Sequence, residues 1–127
     1  MKLLLDTHVF LWWLNDDPKL GPKARSAIEK PENFVFVSAA TAWEIAVKRA
    51  NDKLEAPGDI AAWIEQSAFT DLPIEVEHAV ASAELPKHHN DPLDRLLVAQ
   101  TQLEEMTLVA RDDEIDKYGV PVLDAGK

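Results

Sequence analysis

Apolar residues in this chain follow two rhythms. Short unbroken runs rich in β-forming side chains occur at Lys2–Asp6 (KLLLD), Phe34–Ser38 (FVFVS), Thr107–Ala110 (TLVA) and Val120–Leu123 (VPVL). A weaker fifth run, Leu72–Val76, is interrupted by Pro73. Runs this short, without polar alternation, predict strands covered on both faces, as in a parallel sheet. Between them lie segments whose apolar residues recur three and four apart, which predicts helices over His8–Asn15, Pro22–Glu29, Ala39–Ala50, Asp59–Phe69, Glu77–Leu85 and Pro92–Glu105. The last is the clearest, with Leu93, Leu96, Leu97, Ala99 and Leu103 forming a broad stripe. Pro18, Gly21, Pro57, Gly58 and Pro86 punctuate the connections. Strands alternating with helices predict an α/β domain: a central parallel sheet of four to five strands between two helical layers.

Composition adds boundaries to this picture. A length of 127 residues suits one domain and one core spanning 1–127. No stretch approaches the roughly 20 apolar residues that cross a bilayer, and Asp6 follows only three leucines, unlike the layout of a secretory leader. A cytoplasmic location is therefore expected. Cysteine is absent, which rules out disulfides and thiolate metal sites. The formal charge of −10 argues against holding nucleic acid by a basic face. If the chain handles RNA, another source of positive charge must draw the phosphate in, and carboxylates holding a divalent metal would supply it.

The acids that fit such a role sit at informative places. In open α/β sheets, ligands bind beyond the carboxyl ends of the strands. Asp6 closes the first predicted strand, and Asp112 and Asp113 follow the one at Thr107–Ala110. An acid after a strand is also a common helix N-cap, and for Asp6 both roles stand. Glu44 lies mid-helix among Ala, Trp, Ile and Val, where an uncompensated carboxylate is costly. Alternatively it pairs with Lys48 on the helix surface at i+4. Asp91 before Pro92 is good helix-start chemistry. Asp94 shares a face with Leu97, Val98 and Thr101, so it is expected to point toward the sheet and is the better ligand candidate.

Were Asp6, Glu44, Asp94 and Asp112 to meet, two carboxylates about 4 Å apart would repel by roughly 4 kcal/mol at an effective dielectric of about 20. A hard divalent cation removes that problem. Magnesium and manganese favour oxygen ligands, whereas the absence of cysteine and of histidine at zinc-ligand spacing disfavours zinc. One or two such ions suit phosphodiester hydrolysis, because they acidify an attacking water and stabilise the leaving oxygen. Lys48, Arg49, Arg95 and Arg111 neighbour these acids in sequence and are candidates for holding flanking phosphates, or are plain solvated charges.

Four segments together carry a family resemblance: LLLDTH at Leu3–His8, SAATAWEIAVK at Ser38–Lys48, HHNDPLDRLLVAQTQ at His88–Gln102 and TLVARD at Thr107–Asp112. They resemble VapC-type PIN-domain toxins over nearly the whole chain, in the expected order. The resemblance implies a Rossmann-like α/β/α fold, a Mg2+- or Mn2+-dependent endoribonuclease, a homodimer and a VapB-type antitoxin whose basic side chain enters the acidic pocket. Asp6, Glu44, Asp94 and Asp112 match the family's acidic quartet. Thr7 matches the hydroxylic residue that often follows the first Asp and is expected to support the site through hydrogen bonds. Asp91 belongs to the third motif and is expected to support the ligands from behind. Two positions are loose. Asp113 adjoins Asp112, so either can be the fourth acid, and Asp52 stands before the Lys53–Leu54 pair where relatives often carry glycine.

Other readings compete. A non-catalytic scaffold binding RNA or protein would have no use for four mutually repelling acids. An aspartate-nucleophile phosphatase needs a second Asp two residues after the first, where this chain has His8. Trp13, Trp43 and Trp63 are expected in the core, and Trp12 either packs there too or is partly exposed at a dimer or antitoxin surface. His88 and His89 lie in a loop before the acidic block, where they are solvated, touch RNA or serve as general acid.

Overall fold

The chain is described by a computed structural model covering residues 1–55, 58–88, 90–111 and 113–127, without the side chains of residues 113 and 114. Five strands, β1 (Lys2–Leu5), β2 (Phe34–Ser38), β3 (Thr70–Leu72), β4 (Thr107–Ala110) and β5 (Val122–Asp124), form one parallel sheet in the order β3-β2-β1-β4-β5. Helices α1 (Thr7–Leu14), α2 (Pro22–Glu29), α3 (Ala39–Ala50), α4 (Ile60–Gln66), α5 (Val76–Glu84), α6 (Pro92–Leu103) and α7 (Asp113–Asp116) connect them.

Side chains alternate across the sheet, and each face has its own apolar core. Leu3, Leu5, Val35, Val37 and Val109 pack with Val9 and Phe10 of α1, Ile28 of α2, Ile45 of α3 and Ile64 of α4. Leu4, Leu108 and Ala110 pack on the other face with Leu97 and Val98 of α6 and Ile115 of α7. The result is a three-layer α/β/α fold, as the alternating pattern predicts.

Helix ends follow their chemistry. Asp6, Ser38, Asp59 and Asp91 each accept a backbone N–H as N-cap. After α3, Lys53 N–H donates to the Lys48 carbonyl and Asp52 N–H to the Arg49 carbonyl, closing a Schellman turn. That turn puts Asp52 at φ 56°, the left-handed conformation glycine favours.

The fifth strand differs from its expected position. It occupies Thr70–Leu72 rather than Leu72–Val76, because Pro73 lacks the N–H that would extend the ladder, and Val76 opens α5. The last strand begins at Val122, just after Pro121, rather than at Val120. Trp43 is not core: it is 60% exposed. The buried face of α3 runs through Thr41 and Ile45, and at 3.6 residues per turn position 43 faces away from both. Trp13 and Trp63 are partly buried against the core, and Trp13 packs its ring on Phe69 at 5.6 Å.

Candidate active site

The strand order places a topological switch point between β1 and β4, whose following connections diverge from adjacent carboxyl ends. Such a crevice is where open α/β sheets bind ligands. Asp6 continues the β1 backbone and donates its N–H to the Val109 carbonyl at 3.1 Å, so it stands beside the end of β4. Its side chain, only 7% exposed, accepts from Val9 N–H at 2.8 Å and caps α1. A capping carboxylate has a second oxygen, so the cap and ligand roles are compatible.

A cavity of about 350 Å³ opens there, lined among the described residues by Asp6, His8, Trp12, Asp94 and Arg111. Asp94 reaches it from the first turn of α6, half-buried, on the side that its spacing from Leu97 and Thr101 predicts. Asp91 is the N-cap of the same helix, accepting from Leu93 N–H at 2.9 Å and Asp94 N–H at 3.4 Å. It therefore sets where α6 begins and hence where Asp94 stands.

Glu44 joins through Thr7. The Thr7 hydroxyl, buried, donates to Glu44 Oε1 at 2.7 Å, while Lys48 Nζ donates to Oε2 at 2.8 Å. Glu44 thus pairs with Lys48 at i+4 and also turns inward to the residue next to Asp6. Thr41 Oγ1 lies 3.2 Å from Thr7 Oγ1. Thr7 has one hydroxyl hydrogen, so with that hydrogen on Glu44 the Thr41 hydroxyl is the donor in this contact. Asp112 lies outside the described residues, as does His89. Asp113 is the first residue of α7.

Among the candidate cations, Arg111 lines the cavity. Lys48 is bound to Glu44. Arg95 is turned elsewhere: its guanidinium donates to the carbonyls of Ser82 (2.9 Å), Leu85 (2.9 Å) and Pro86 (3.0 Å), and lies 3.3 Å from the Tyr118 hydroxyl. It closes the carbonyl end of α5. His88 sits edge-on against Tyr118 at 5.2 Å. His8 carried no signal beyond its place in LLLDTH, and the structure puts it on the cavity wall.

Two other features compete for attention. A larger cleft of about 680 Å³ between α3 and α4 is walled by Val37, Ala42, Ile60, Ile64 and Phe69 and, among the described residues, includes none of Asp6, Glu44 and Asp94. Among the described residues, Glu77, His78 and Glu104 bring ligand atoms within 4.8 Å of one another. His78 Nδ1 accepts Glu75 N–H at 2.9 Å, so Nε2 carries the proton and donates to Glu104 at 3.0 Å. Both ring nitrogens are engaged, and Glu104 lies about 15 Å along α6 from Asp94 at 1.5 Å per residue. This group ties α5 to α6 and is not the predicted quartet.

Fold and site together define an α/β domain whose switch-point cavity is lined by the carboxylates of Asp6 and Asp94, with His8, Trp12 and Arg111 beside them. A PIN domain family model matches residues 3–121, and the chain belongs to that family. It is 27% identical over 122 residues to Ribonuclease VapC22 of Mycobacterium tuberculosis, covering 94% of this chain and 93% of that protein. Its fold matches VapBC2 from Rickettsia felis bound to a promoter DNA fragment, with TM-score 0.73, 14% identity and coverage of 97% and 98%. It also matches DNA-bound VapBC from Salmonella typhimurium, with TM-score 0.71, 17% identity and 98% of each chain covered. No helix among the described residues is long and apolar enough to cross a membrane.

Proposed function

We propose that the chain is a single-domain, metal-dependent endoribonuclease and the toxin of a toxin–antitoxin pair. The observation that carries this reading is that Asp6 and Asp94, from different elements, line one cavity at the switch point, with Glu44 tied to the residue after Asp6. The proposed ligands are all carboxylates, a donor set that fits Mg2+ or Mn2+. Asp6, Glu44, Asp94 and Asp112 would hold one or two ions, with Asp113 the alternative fourth acid. A bound ion would supply Lewis acidity toward the phosphate and a more acidic attacking water. Thr7 fixes the Glu44 carboxylate, and Asp91 fixes the start of the helix that carries Asp94. Arg111, in the cavity wall, orients the substrate phosphate, and Lys48, paired with Glu44 on α3, is a further candidate for RNA contact.

The relatives in VapBC complexes support a VapB-type partner, and a basic side chain from it would neutralise the acidic cavity. Exposed Trp43 supplies apolar surface for a second copy in a homodimer. We place the protein in the cytoplasm with its RNA substrate. The test is cleavage of total RNA by the purified chain with Mg2+ or Mn2+. Asp6→Asn, which keeps the cap, abolishes cleavage, as does a chelator. Wild-type rates from Asp6→Asn, or cleavage undiminished by the chelator, would refute the metal-dependent reading.

A further inference from the structure

The cavity wall holds two rings that metal chemistry does not use. His8 and Trp12 lie four residues apart on α1 and so project from one face of the helix. His8 is exposed, while Trp12 is half-buried, with part of its indole packed on the core and part on the cavity. Their centroids are 6.4 Å apart and their planes are tilted by 43°, so they do not stack on each other. Anchored aromatic surface beside a hydrolytic site costs little entropy to use. A chain of net charge −10 gains little from general electrostatic attraction to RNA, whereas stacking is independent of net charge.

We propose that His8 and Trp12 form a nucleobase-stacking subsite that takes the unpaired base next to the scissile phosphodiester of single-stranded RNA, with Arg111 holding that nucleotide's phosphate. This rests on the ribonuclease reading above. Unpaired bases are recognised by stacking on aromatic and histidine rings, and a cavity of about 350 Å³ lies within the size range of small-ligand clefts. The subsite thus sets which position along an RNA strand is cut.

The experiment uses an oligonucleotide spanning the site that the wild-type protein cuts in total RNA, and the same oligonucleotide with one abasic nucleotide on either side of the cleaved bond. Trp12→Ala raises KM by about tenfold or more, the range for one stacked base, with kcat nearly unchanged because ground and transition states lose the contact equally. Trp12→Phe restores most of the loss, and His8→Ala raises KM less. An abasic nucleotide at the stacked position costs the wild type at least that factor and costs Trp12→Ala only the smaller contribution of His8. Wild-type KM in both Trp12→Ala and His8→Ala, or undiminished discrimination against the abasic strand by Trp12→Ala, overturns the subsite alone. So does a Trp12→Ala variant that loses the dimer but keeps its KM, which would assign the ring to a protein interface. If Trp12→Ala does not fold, Trp12→Phe and His8→Ala decide, the latter by a raised or unchanged KM. A wild-type chain that cuts no RNA overturns the ribonuclease reading, and the subsite with it.

Discussion

Replacing Thr7 by valine tests the joint between α1 and α3 with almost no change in shape. The buried hydroxyl is a 2.7 Å donor to Glu44, whose side chain is only 13% exposed. A hydrogen bond to a charged group contributes about 1.5–3 kcal/mol. The other partner, Lys48, is 43% exposed, and an i,i+4 pair of that kind contributes only about 0.3–0.5 kcal/mol. Thr7 is therefore the larger support for the carboxylate. Its loss should cost about 1.5–3 kcal/mol, or roughly 5–12 °C in Tm for a domain of this size. Urea denaturation followed by tryptophan fluorescence reads the change, with Thr7→Ser as the control that keeps the donor. In a Glu44→Gln background the penalty should shrink, which isolates the pairwise contribution. A Thr7→Val midpoint within about 0.3 kcal/mol of wild type, the usual error of such cycles, would show that the hydroxyl does not hold Glu44.

Three further outcomes follow from the packing. Arg95→Lys keeps the charge but cannot reproduce a planar fork on the Ser82, Leu85 and Pro86 carbonyls; faster hydrogen exchange at the end of α5 and a lower urea midpoint are expected. Gln100 is fully buried, accepts from Ser38 Oγ at 2.6 Å and donates to the Pro73 carbonyl at 3.2 Å; Gln100→Leu should cost about 1–3 kcal/mol by leaving both groups without that partner, measured by urea denaturation. Asp52→Gly relieves a left-handed residue at φ 56°; the conformational cost of about 1–2 kcal/mol less the entropy of glycine, about 0.5–1 kcal/mol, leaves a small rise in melting temperature by calorimetry.

Where local chemistry and hydrophobic pattern agree, the sequence could be read to the residue. The strands at Phe34–Ser38 and Thr107–Ala110 and the helices at Pro22–Glu29 and Ala39–Ala50 have the expected bounds, because caps and turn residues end each apolar run sharply. The direction of Asp94 was legible for the same reason, since its spacing from Leu97 and Thr101 fixes its face. Trp43 shows the cost of reading residue type before angle: its position on α3 sends it to solvent. Arg95 was not legible as a helix clamp, because its acceptors are backbone carbonyls of a helix that only tertiary folding brings beside α6. That Thr7 supports the site by hydrogen bonding was implied by the resemblance, but which acid it holds was not: Glu44 lies 37 residues away, and their meeting needs the sheet to set α1 beside α3. The short helix at Asp113–Asp116 has too few residues to show a period.

The proposed metal role is tested most directly by thermal melts of the wild type and Asp94→Asn, each in chelator and in millimolar Mn2+. If the cavity carboxylates bind the ion only when folded, Mn2+ raises the wild-type melting temperature. Asp94→Asn, lacking one carboxylate ligand, gains little from the ion. An equal Mn2+ shift in both proteins, or none in the wild type, would contradict the assignment of Asp94 and its neighbours to a shared cation.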